Sequence, residues 1–554
     1  MSGAIRPHAF GEVDPRAEQV WVEMRDGVRL ATDVYLPDGD GPFPTVLTRL
    51  PYDKSGEFSF MSEVAERLTP LGLAVVVQDV RGKVRSEGPT LAFVSEVQDG
   101  WDTLDWVVAQ SWSNGDVGTF GDSYYGFTQW AMGFSGHPAL KAMVPRMTTT
   151  EVGPDWMYLD GVFNLGTMGE WALHTWIDNS LNDVEIDWSG RPVARFIEHN
   201  TGGLPSRSWD EWIVNGPASS YWTTGIYGGE PGPWGMVPTL HVGGWFDVFS
   251  RGQLRDFQRS LAGPAGDRQY LVMGALDHFD DHLTENGRSP DYLRERDLLP
   301  PFLDGYLGSA VEFLSHVLLG TAAELPRVRW ELGNAGWRTS ETWPPSGSVT
   351  HELHLGRPGD ALHGPAGGTM GAEPESHEGA VEWTHDPANP VPHLIEDPWR
   401  PLLGLPDERP AHMRPDVLTF TGEEQRAPLD LAGPVEVTVV VQADAPSTHV
   451  VARLCDVFPD GRTHLIVEGV ARVDDPAVPT SCRIDLGDTG YRVRPGHRLR
   501  LQVSASAFPR WIVHPGTAED PFTAVQTRTV THRLLAGGSH RSTLTLTTLP
   551  GAGE

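Results

Sequence analysis

The segment Gly118-Thr119-Phe120-Gly121-Asp122-Ser123-Tyr124-Tyr125-Gly126-Phe127 has the pattern of a strand that turns sharply into a helix at a serine. The backbone of such a serine is strained, and the two flanking glycines leave room for the close approach of neighbouring chain. The usual motif has its second glycine two residues after the serine, where Tyr125 stands here. The turn would present the hydroxyl above a sheet and aim helix N-terminal amides at an oxygen that becomes negative during acyl transfer. Ser123 is therefore a candidate nucleophile.

Apolar runs on both sides of this segment predict a doubly wound α/β sheet. Short continuous apolar runs are typical of strands that are covered on both faces, and they alternate here with a stretch of helical periodicity. The pattern comprises a hairpin at 20–36, strands at 45–49 and 73–77, a helix at 97–108 and a strand at 140–144. Ser123 would thus follow one strand of this sheet and precede a helix.

Two further predicted strands end just before a carboxylate and an imidazole. The strand at 238–242 precedes Asp247, and the strand at 268–273 precedes His278. Open α/β sheets place their sites at the carboxyl ends of strands, and the order Ser, Asp, His is the one expected of a hydrolase of this fold. Ser123 would attack a carbonyl, His278 would accept its proton and return it to the leaving group, and Asp247 would orient the imidazole.

Neighbouring residues offer alternatives to this triad. Asp277, Asp280 and Asp281 compete with Asp247 as the orienting carboxylate, and His282 competes with His278 as the base. Asp247 is preferred because it ends its own strand, and His278 because it lies nearer the preceding strand. Two histidines four residues apart on a helix can also share one metal ion, which would indicate a metallohydrolase. No second cluster with ligand spacing is evident, because only two residues separate the histidines of 351–354.

The length of 554 residues predicts about two to four domains. Between 146 and 237 the strand–helix alternation stops and eight tryptophans occur, which predicts an inserted, mainly helical cap whose tryptophans either fill its core or line a pocket. After about residue 350, short strands separated by turn residues predict an all-β sandwich, and a mobile loop is expected within 356–385. The predicted domains are an α/β domain at 1–145 and 238–345, a cap at 146–237 and a β domain at 346–554.

Charge and motifs exclude several kinds of partner. The net charge of −32 argues against binding to nucleic acid or an anionic membrane, since both require a positive surface. Neither a phosphate-binding loop nor a dinucleotide fingerprint is present, so no cofactor is predicted. The first 22 residues lack a signal pattern, and Cys455 and Cys482 are predicted to be reduced thiols. A soluble cytoplasmic protein is expected.

Taken together, these segments resemble the cocaine esterase and X-Pro dipeptidyl-peptidase family of serine hydrolases over nearly the whole length. The resemblance rests on Arg49-Leu50-Pro51-Tyr52-Asp53-Lys54, Gln78-Asp79-Val80-Arg81-Gly82, Gly121 to Gly126, Gly243 to Asp247, Asp456-Val457-Phe458-Pro459-Asp460-Gly461 and Pro495-Gly496-His497.

The resemblance implies an α/β-hydrolase domain, a helical cap after the sixth strand and a C-terminal jelly-roll β domain. It implies the triad already named and an oxyanion hole made by the Tyr52 hydroxyl and the backbone N–H of Tyr124. The sequence departs from the family where Leu276-Asp277 replaces a frequent Trp-Ser before the histidine. The implied activity is hydrolysis of esters or amides, with a small molecule as substrate and a homodimer as one expected assembly.

Residues after Asp247 suggest which acyl group is accepted. Relatives that act on α-amino acyl esters carry acidic residues close after the triad aspartate, whereas Val248 and Phe249 stand here. By position, Phe249, Trp156 and Trp171 correspond to an aromatic acyl wall, so a bulky hydrophobic or aromatic acyl ester is predicted.

Two other functions stay open. The cap carboxylates Asp155 and Asp160 could bind an amine, which would favour an α-amino acyl ester hydrolase or an X-Pro dipeptidyl-peptidase-like enzyme. A carbohydrate-binding or scaffold protein without catalysis is a more distant alternative.

Overall fold

The computed structural model describes residues 10–56, 58–176, 185–285, 288–364 and 367–550. The strands before residue 345 are β1 (Glu18–Glu23), β2 (Arg29–Tyr35), β3 (Phe43–Leu50), β4 (Ala74–Asp79), β5 (Ser113–Asp122), β6 (Leu140–Arg146), β7 (Tyr158–Leu159), β8 (Val162–Phe163), β9 (Thr239–Gly244), β10 (Gln269–Gly274), β11 (Val328–Leu332) and β12 (Gly336–Ser340). The helices of the same part are α1 (Met61–Leu68), α2 (Glu96–Val108), α3 (Ser123–Ser135), α4 (Leu165–Trp176), α5 (Phe196–Thr201), α6 (Arg207–Val214), α7 (Thr224–Tyr227), α8 (Ser250–Ser260) and α9 (Leu299–Leu319).

Ten of these strands form one mixed sheet in the order β1-β2-β4-β3-β5-β6-β9-β10-β11-β12. The strands from β4 across to β11 are parallel, and the pairs at the two edges are antiparallel. The predicted hairpin is β1 and β2, and the predicted strands around Ser123 are β3, β4, β5 and β6. The α/β fold class is therefore confirmed, with β5 near the centre of the sheet.

Helices cover both faces of this sheet. On one face, α1 and α9 pack on apolar side chains of β3, β4, β5 and β6. On the other face, α2 and α3 pack on the alternate side chains of the same strands. Because successive strand residues point to opposite faces, the buried run at 74–77 of β4 is apolar at every position, whereas Gln78 and Asp79 at its end are buried with polar partners. The carboxyl ends of the strands stay free to build a site.

The cap lies between β6 and β9 and is mainly helical, as predicted. Its described part contains α4, α5, α6 and α7 together with the short β7–β8 hairpin. Most of its tryptophans are buried in an apolar cluster that also includes Phe249 and residues of the C-terminal region such as Trp511. The cap is thus packed against both other parts of the molecule.

The C-terminal region forms an all-β domain of eleven described strands that belong to one hydrogen-bonded sheet. They are β13 (Val349–Gly356), β14 (Gly368–Gly371), β15 (Gly379–His385), β16 (Leu418–Thr421), β17 (Leu429–Ala443), β18 (Ser447–Val457), β19 (Thr463–Asp474), β20 (Thr480–Val493), β21 (Arg498–Ser504), β22 (Val530–Ala536) and β23 (Thr543–Thr548); a short helix, α10 (Arg409–His412), precedes β16. Their inward side chains enclose a separate core of Val, Leu and Ile.

The mobile loop predicted for part of 356–385 stays a prediction. The segment contains β14 and β15, and the glycines of β14 allow close packing, since a side chain on Gly368 would meet the Phe420 ring at 2.5 Å. Residues 365 and 366 lie outside the described residues.

Cys455 and Cys482 are free and buried, and burial raises the pKa of each thiol to about 12. Among the described helices, none has the length and apolar composition that crossing a bilayer requires.

Candidate active site

Ser123 occupies the sharp turn that the sequence predicts. It is the first residue of α3, directly after β5, and its φ of 52° lies in the left-handed region. Such a conformation costs a non-glycine residue about 1–3 kcal/mol and persists only where the surroundings enforce it. A Cβ on Gly121 would lie 2.2 Å from the Tyr125 ring, and one on Gly126 would lie 2.5 Å from Thr148. Gly126, the shifted second glycine, is thus required because the chain after β6 approaches it closely. Gly121, the first glycine, makes room for the Tyr125 ring.

The Tyr52 hydroxyl lies next to Ser123 and has a proton free to donate. It accepts a bond of 2.9 Å from the indole Nε1 of Trp171, so its own proton stays available. Burial raises the pKa of Tyr52 to about 12, an effect that interactions with Trp171 and Ser123 partly oppose. The phenol is therefore protonated at neutral pH. The backbone N–H of Tyr124 lies in the first turn of α3, where amides have no intrahelical acceptor.

Buried ion pairs fix the segments on either side of Tyr52. Arg49 donates to the Gln78 amide oxygen and to the Glu96 carboxylate, both at 2.8 Å, and Lys54 donates to Asp79 at 2.8 Å. Both cations are almost inaccessible to solvent. Buried charges are tolerated only when paired, so removing one member would destabilise the protein strongly. The polar residues of 49–54 and 78–82 therefore act as the frame that holds Tyr52.

Asp247 is the carboxylate that contacts His278. Its Oδ1 lies 2.8 Å from the imidazole Nδ1 of His278, which leaves Nε2 as the nitrogen able to exchange a proton with a substrate or nucleophile. The ring is held between the Phe249 ring, at 5.4 Å between centroids, and the Trp399 ring, at 4.8 Å. Asp247 follows β9 and His278 follows β10, so both lie at the carboxyl edge of the sheet.

The competing residues have other partners. Asp277 accepts hydrogen bonds from three backbone amides, including that of Leu402. Asp280 and Asp281 form ion pairs with arginines 146 and 400, respectively. The exposed His282 lines a different cavity from the one that contains Ser123. No three His, Cys, Asp or Glu side chains of the described chain are grouped so that they could hold a metal ion.

Ser123, His278 and Tyr52 line one cavity of about 350 Å³. Aromatic rings make up much of its wall: Phe58, Phe60, Tyr125, Trp171, Phe279, Tyr292, Phe302, Tyr306 and Trp399. Carboxylates also reach the cavity, among them Glu170 of α4 and Asp397 of the C-terminal region. Burial, together with the nearby Glu170, raises the pKa of Asp397. The cavity can therefore hold a flat apolar group next to the nucleophile and has acidic groups in its wall.

The predicted acyl-wall residues lie in one aromatic cluster, but only one of them reaches the cavity. Trp171 lines the cavity, whereas Trp156 and Phe249 lie behind it, with 4.1 Å between their ring centroids. Asp155 is paired with Arg255, and Asp160 is exposed in the turn between β7 and β8. Neither Asp155 nor Asp160 lines the cavity.

Sequence reasoning missed Trp399, Glu170 and Asp397. Trp399 packs on His278, and all three line the cavity. Glu170 lies on a helix of the predicted cap, four residues before His174, so helical spacing could have placed these two side chains on one face. No local pattern marks Trp399 or Asp397, because they approach the site through the packing of the C-terminal region on the α/β domain.

Comparisons with known proteins agree with this architecture. A model of the X-Pro dipeptidyl-peptidase (S15 family) matches residues 26–280, and a model of the X-Pro dipeptidyl-peptidase C-terminal non-catalytic domain matches residues 321–545. The cocaine esterase of Rhodococcus sp. (strain MB1 Bresler) is 32% identical over 540 residues, which cover 89% of this chain and 91% of that protein.

Solved structures share the fold across the whole chain. An aminopeptidase from the marine sediment archaeon Thaumarchaeota archaeon and a selenomethionine-labelled α-amino acid ester hydrolase each match with a TM-score of 0.77 at 24% identity. Each match covers 99% of both chains. The family models and the 32% identity along most of the chain show that it belongs to the X-Pro dipeptidyl-peptidase (S15) family and is a serine ester hydrolase.

Proposed function

We propose that the protein cleaves carboxylic esters with a bulky hydrophobic or aromatic acyl group through an acyl-enzyme on Ser123. The observation that carries this proposal is the shared cavity, in which Ser123, His278 and Tyr52 lie next to a largely aromatic wall. Aromatic rings bind flat apolar groups through buried area and through ring contacts worth about 0.5–1.5 kcal/mol each. A benzoyl or phenylacetyl group is of a size that this cavity can hold.

The proposed mechanism assigns each contact a step. His278 accepts the Ser123 proton at Nε2 as the hydroxyl oxygen bonds to the ester carbonyl carbon, and Asp247 holds the imidazole through Nδ1. The Tyr52 hydroxyl and the Tyr124 N–H donate to the carbonyl oxygen as it becomes negative. His278 then gives its proton to the leaving alkoxide. A water molecule, deprotonated in the same way, releases the acid and restores Ser123.

The acyl wall is proposed to have two layers. Trp171 would touch the acyl group, since it lines the cavity and binds Tyr52. Phe249 and Trp156 would support that layer and the His278 ring from behind. Substitution of Phe249 by alanine should therefore erode the preference for aromatic acyl groups.

A second candidate function is hydrolysis of α-amino acyl esters or amides. It is favoured by Glu170 and Asp397, which bring carboxylates to the cavity that contains Ser123. Glu170 lies 3.5 Å from the His174 imidazole, and Asp397 accepts hydrogen bonds from the backbone amides of Trp399 and Arg400. Either carboxylate could pair with a substrate ammonium group. The apolar part of the wall could not offset the cost of removing that ammonium from water.

A pair of matched substrates separates the two functions. Phenylacetyl and phenylglycyl esters of one alcohol differ in the α-amino group, so their kcat/KM ratio reports how the site treats an ammonium. We expect the phenylacetyl ester to be preferred. A preference for the phenylglycyl ester that disappears in Glu170→Gln or Asp397→Asn would establish the second function instead.

The nucleophile is tested independently of the substrate. A fluorophosphonate reacts only with an activated serine, so it should label the wild-type protein and leave Ser123→Ala unlabelled. Lack of labelling in a folded wild-type protein would contradict the assignment of Ser123. Amide substrates of the same acyl groups would show whether ester cleavage is the main reaction.

A further inference from the structure

Arg146 is a buried cation directly beneath the candidate active site. It ends β6, beside Asp122 of β5 in the register of the two parallel strands. Its Nε donates to Asp122 Oδ1 at 2.9 Å, and its Nη2 lies 2.7 and 2.9 Å from the two carboxylate oxygens of Asp280. The guanidinium carbon lies 4.3 Å from the centre of the Tyr306 ring. One side chain therefore joins two carboxylates from different parts of the sheet edge.

Each of these carboxylates is next to a reacting residue. Asp122 is the last residue of β5 and immediately precedes Ser123, the first residue of α3. Asp280 follows His278 by two positions and has a φ of 58°, which residues other than glycine adopt only under constraint. The backbone N–H of Asp280 also donates to the Asp277 carbonyl at 3.1 Å, so the loop is tightly closed. Arg146 thus contacts both the nucleophile turn and the histidine loop.

We propose that Arg146 is a positioning residue that sets the separation of Ser123 and His278 by joining Asp122 to Asp280. The proposal rests on the function proposed above, because only a Ser–His pair needs this separation to be precise. Proton transfer between the two requires heavy atoms about 2.6–3.2 Å apart, and a displacement of about 1 Å can lower the rate by about 100-fold.

The chemistry of the guanidinium suits this bridge. Arginine stays protonated at all relevant pH values and presents several N–H donors in a rigid plane, so it can bind two carboxylates at once. Lysine has a single compact charge and cannot keep both contacts with the same geometry. Burial raises the pKa of Asp122 to about 6, and the nearby Arg146 charge and the Tyr306 hydroxyl oppose that rise. The positive charge of Arg146 therefore favours the ionised form of Asp122.

A purely structural role for Arg146 would give a different experimental result. Arg453 provides the matched control, since it is also buried and also joins two carboxylates, those of Glu408 and Glu468, within the β domain. The side chains of Arg146 and Arg453 are 3% and 2% exposed, respectively. Loss of either arginine should lower stability by a similar amount, because each leaves buried carboxylates without their cation.

The experiment compares Arg146→Lys, Asp280→Asn and Arg453→Lys in the full-length protein. For Arg146→Lys and Asp280→Asn we expect kcat and the rate of fluorophosphonate labelling of Ser123 to fall by about 10- to 100-fold, with KM changed by less than about threefold. For Arg453→Lys we expect a lower Tm with kcat and labelling rate within about twofold of the wild type. Asp280→Asn decides the matter if Arg146→Lys does not fold, because its amide oxygen can still accept one N–H bond.

The opposite results overturn the inference. If Asp280→Asn retains wild-type kcat and labelling, or if Arg453→Lys loses as much of both, Arg146 acts on stability alone. A wild-type protein that hydrolyses esters while Ser123→Ala does so equally well would overturn the proposed function itself. The two failures are therefore distinguishable.

Discussion

The turn that carries Ser123 and the loop that carries His278 are held in different ways. The turn is fixed by continuous backbone, since β5 runs directly into α3 and two glycines allow the close contacts that it requires. The loop depends on side chains: the carboxylates at 277, 280 and 281 bind partners as far along the chain as Arg400 and Leu402. A short motif can therefore encode the first element, whereas the second is assembled from distant segments.

The largest effects should come from the reacting residues themselves, which the turn and the loop bring together. Ser123→Ala and His278→Ala should each lower kcat by about 10⁴-fold or more, and the double variant should be no worse, because the members of a triad act as a unit. Asp247→Asn should also be severe, since it favours the wrong imidazole tautomer. Steady-state kinetics with circular dichroism as the control for folding measure this. Activity retained in His278→Ala would move the base to His282.

The next effect tests the Ser123 side alone. Tyr52→Phe should lower kcat by about 100-fold with little change in KM, because the lost hydroxyl is proposed to bind the oxyanion rather than the ground state. The variant keeps the ring and its contact with Tyr125 but leaves the buried Trp171 Nε1–H without its acceptor, so we expect a loss of stability of about 1–3 kcal/mol. Weaker substrate binding with an unchanged kcat would show instead that Tyr52 lines the pocket and that backbone amides form the hole.

A smaller effect is expected on the other side of the His278 loop. Asp281→Asn weakens the contact with Arg400, which retains Asp291 as a second partner. We expect a lower Tm and a fall in kcat of about tenfold or less, equivalent to about 1.4 kcal/mol. Asp474→Asn, at an exposed pair with Arg472, serves as the control and should change neither quantity. If kcat falls more in Asp281→Asn than in Asp280→Asn, the contact of Asp281 with Arg400 holds the His278 loop more firmly than the contact of Asp280 with Arg146 does.

These variants also show how far the sequence could be interpreted. The strand–helix alternation, the Ser123 turn and the position of Asp247 after β9 follow from local patterns, because backbone propensity and burial act over a few residues. The choice among four aspartates near His278 rested on strand position alone. Asp277, Asp280 and Asp281 bind partners more than a hundred residues away along the chain, and no spacing rule reaches so far.

The depth at which each predicted acyl-wall residue lies also depends on packing between distant segments. Trp156 and Phe249 are adjacent, as positional correspondence suggested, but the cap packs so that Trp171 reaches the cavity and the other two support it. Trp399 was missed because the packing of the C-terminal region on the α/β domain, rather than any motif, brings it to His278. The glycines of 356–385 could not show which part of the segment forms strands, because glycine can indicate close strand packing as well as a loop.

The smallest predicted effect concerns the C-terminal domain that supplies Arg400 and Leu402. Burial lowers the pKa of His514 to about 4 and that of His532 to about 3, from an ordinary value of 6.5. His514 Nδ1 accepts the Gly516 N–H at 3.1 Å, so a proton there would break this bond. Between pH 6.5 and pH 4 the histidine is protonated in the unfolded chain but neutral in the folded one. The free energy of unfolding is therefore highest above pH 6.5 and declines as the pH falls toward 4.

Urea unfolding at pH 7.5 and pH 5.5 measures this effect. The loss of unfolding free energy between the two values should be about 1 kcal/mol smaller in His514→Asn than in the wild type. The difference between the two proteins is needed because burial raises the pKa of Asp79 to about 6 and that of Asp256 to about 7, which acts in the opposite direction. An equal loss in both proteins would mean that His514 becomes protonated in the folded state without a penalty.

The late position of Trp399 in the chain has a consequence for biosynthesis. A ribosome adds about 5–20 residues per second, so roughly 15 to 55 s pass between the synthesis of Ser123 and that of Trp399. During this time the nascent chain can contain the nucleophile, while His278 lacks the ring on which it packs and its loop lacks Arg400. Catalytic competence is therefore expected to begin only after the last third of the polypeptide has started to emerge, and fragments released early should be inert.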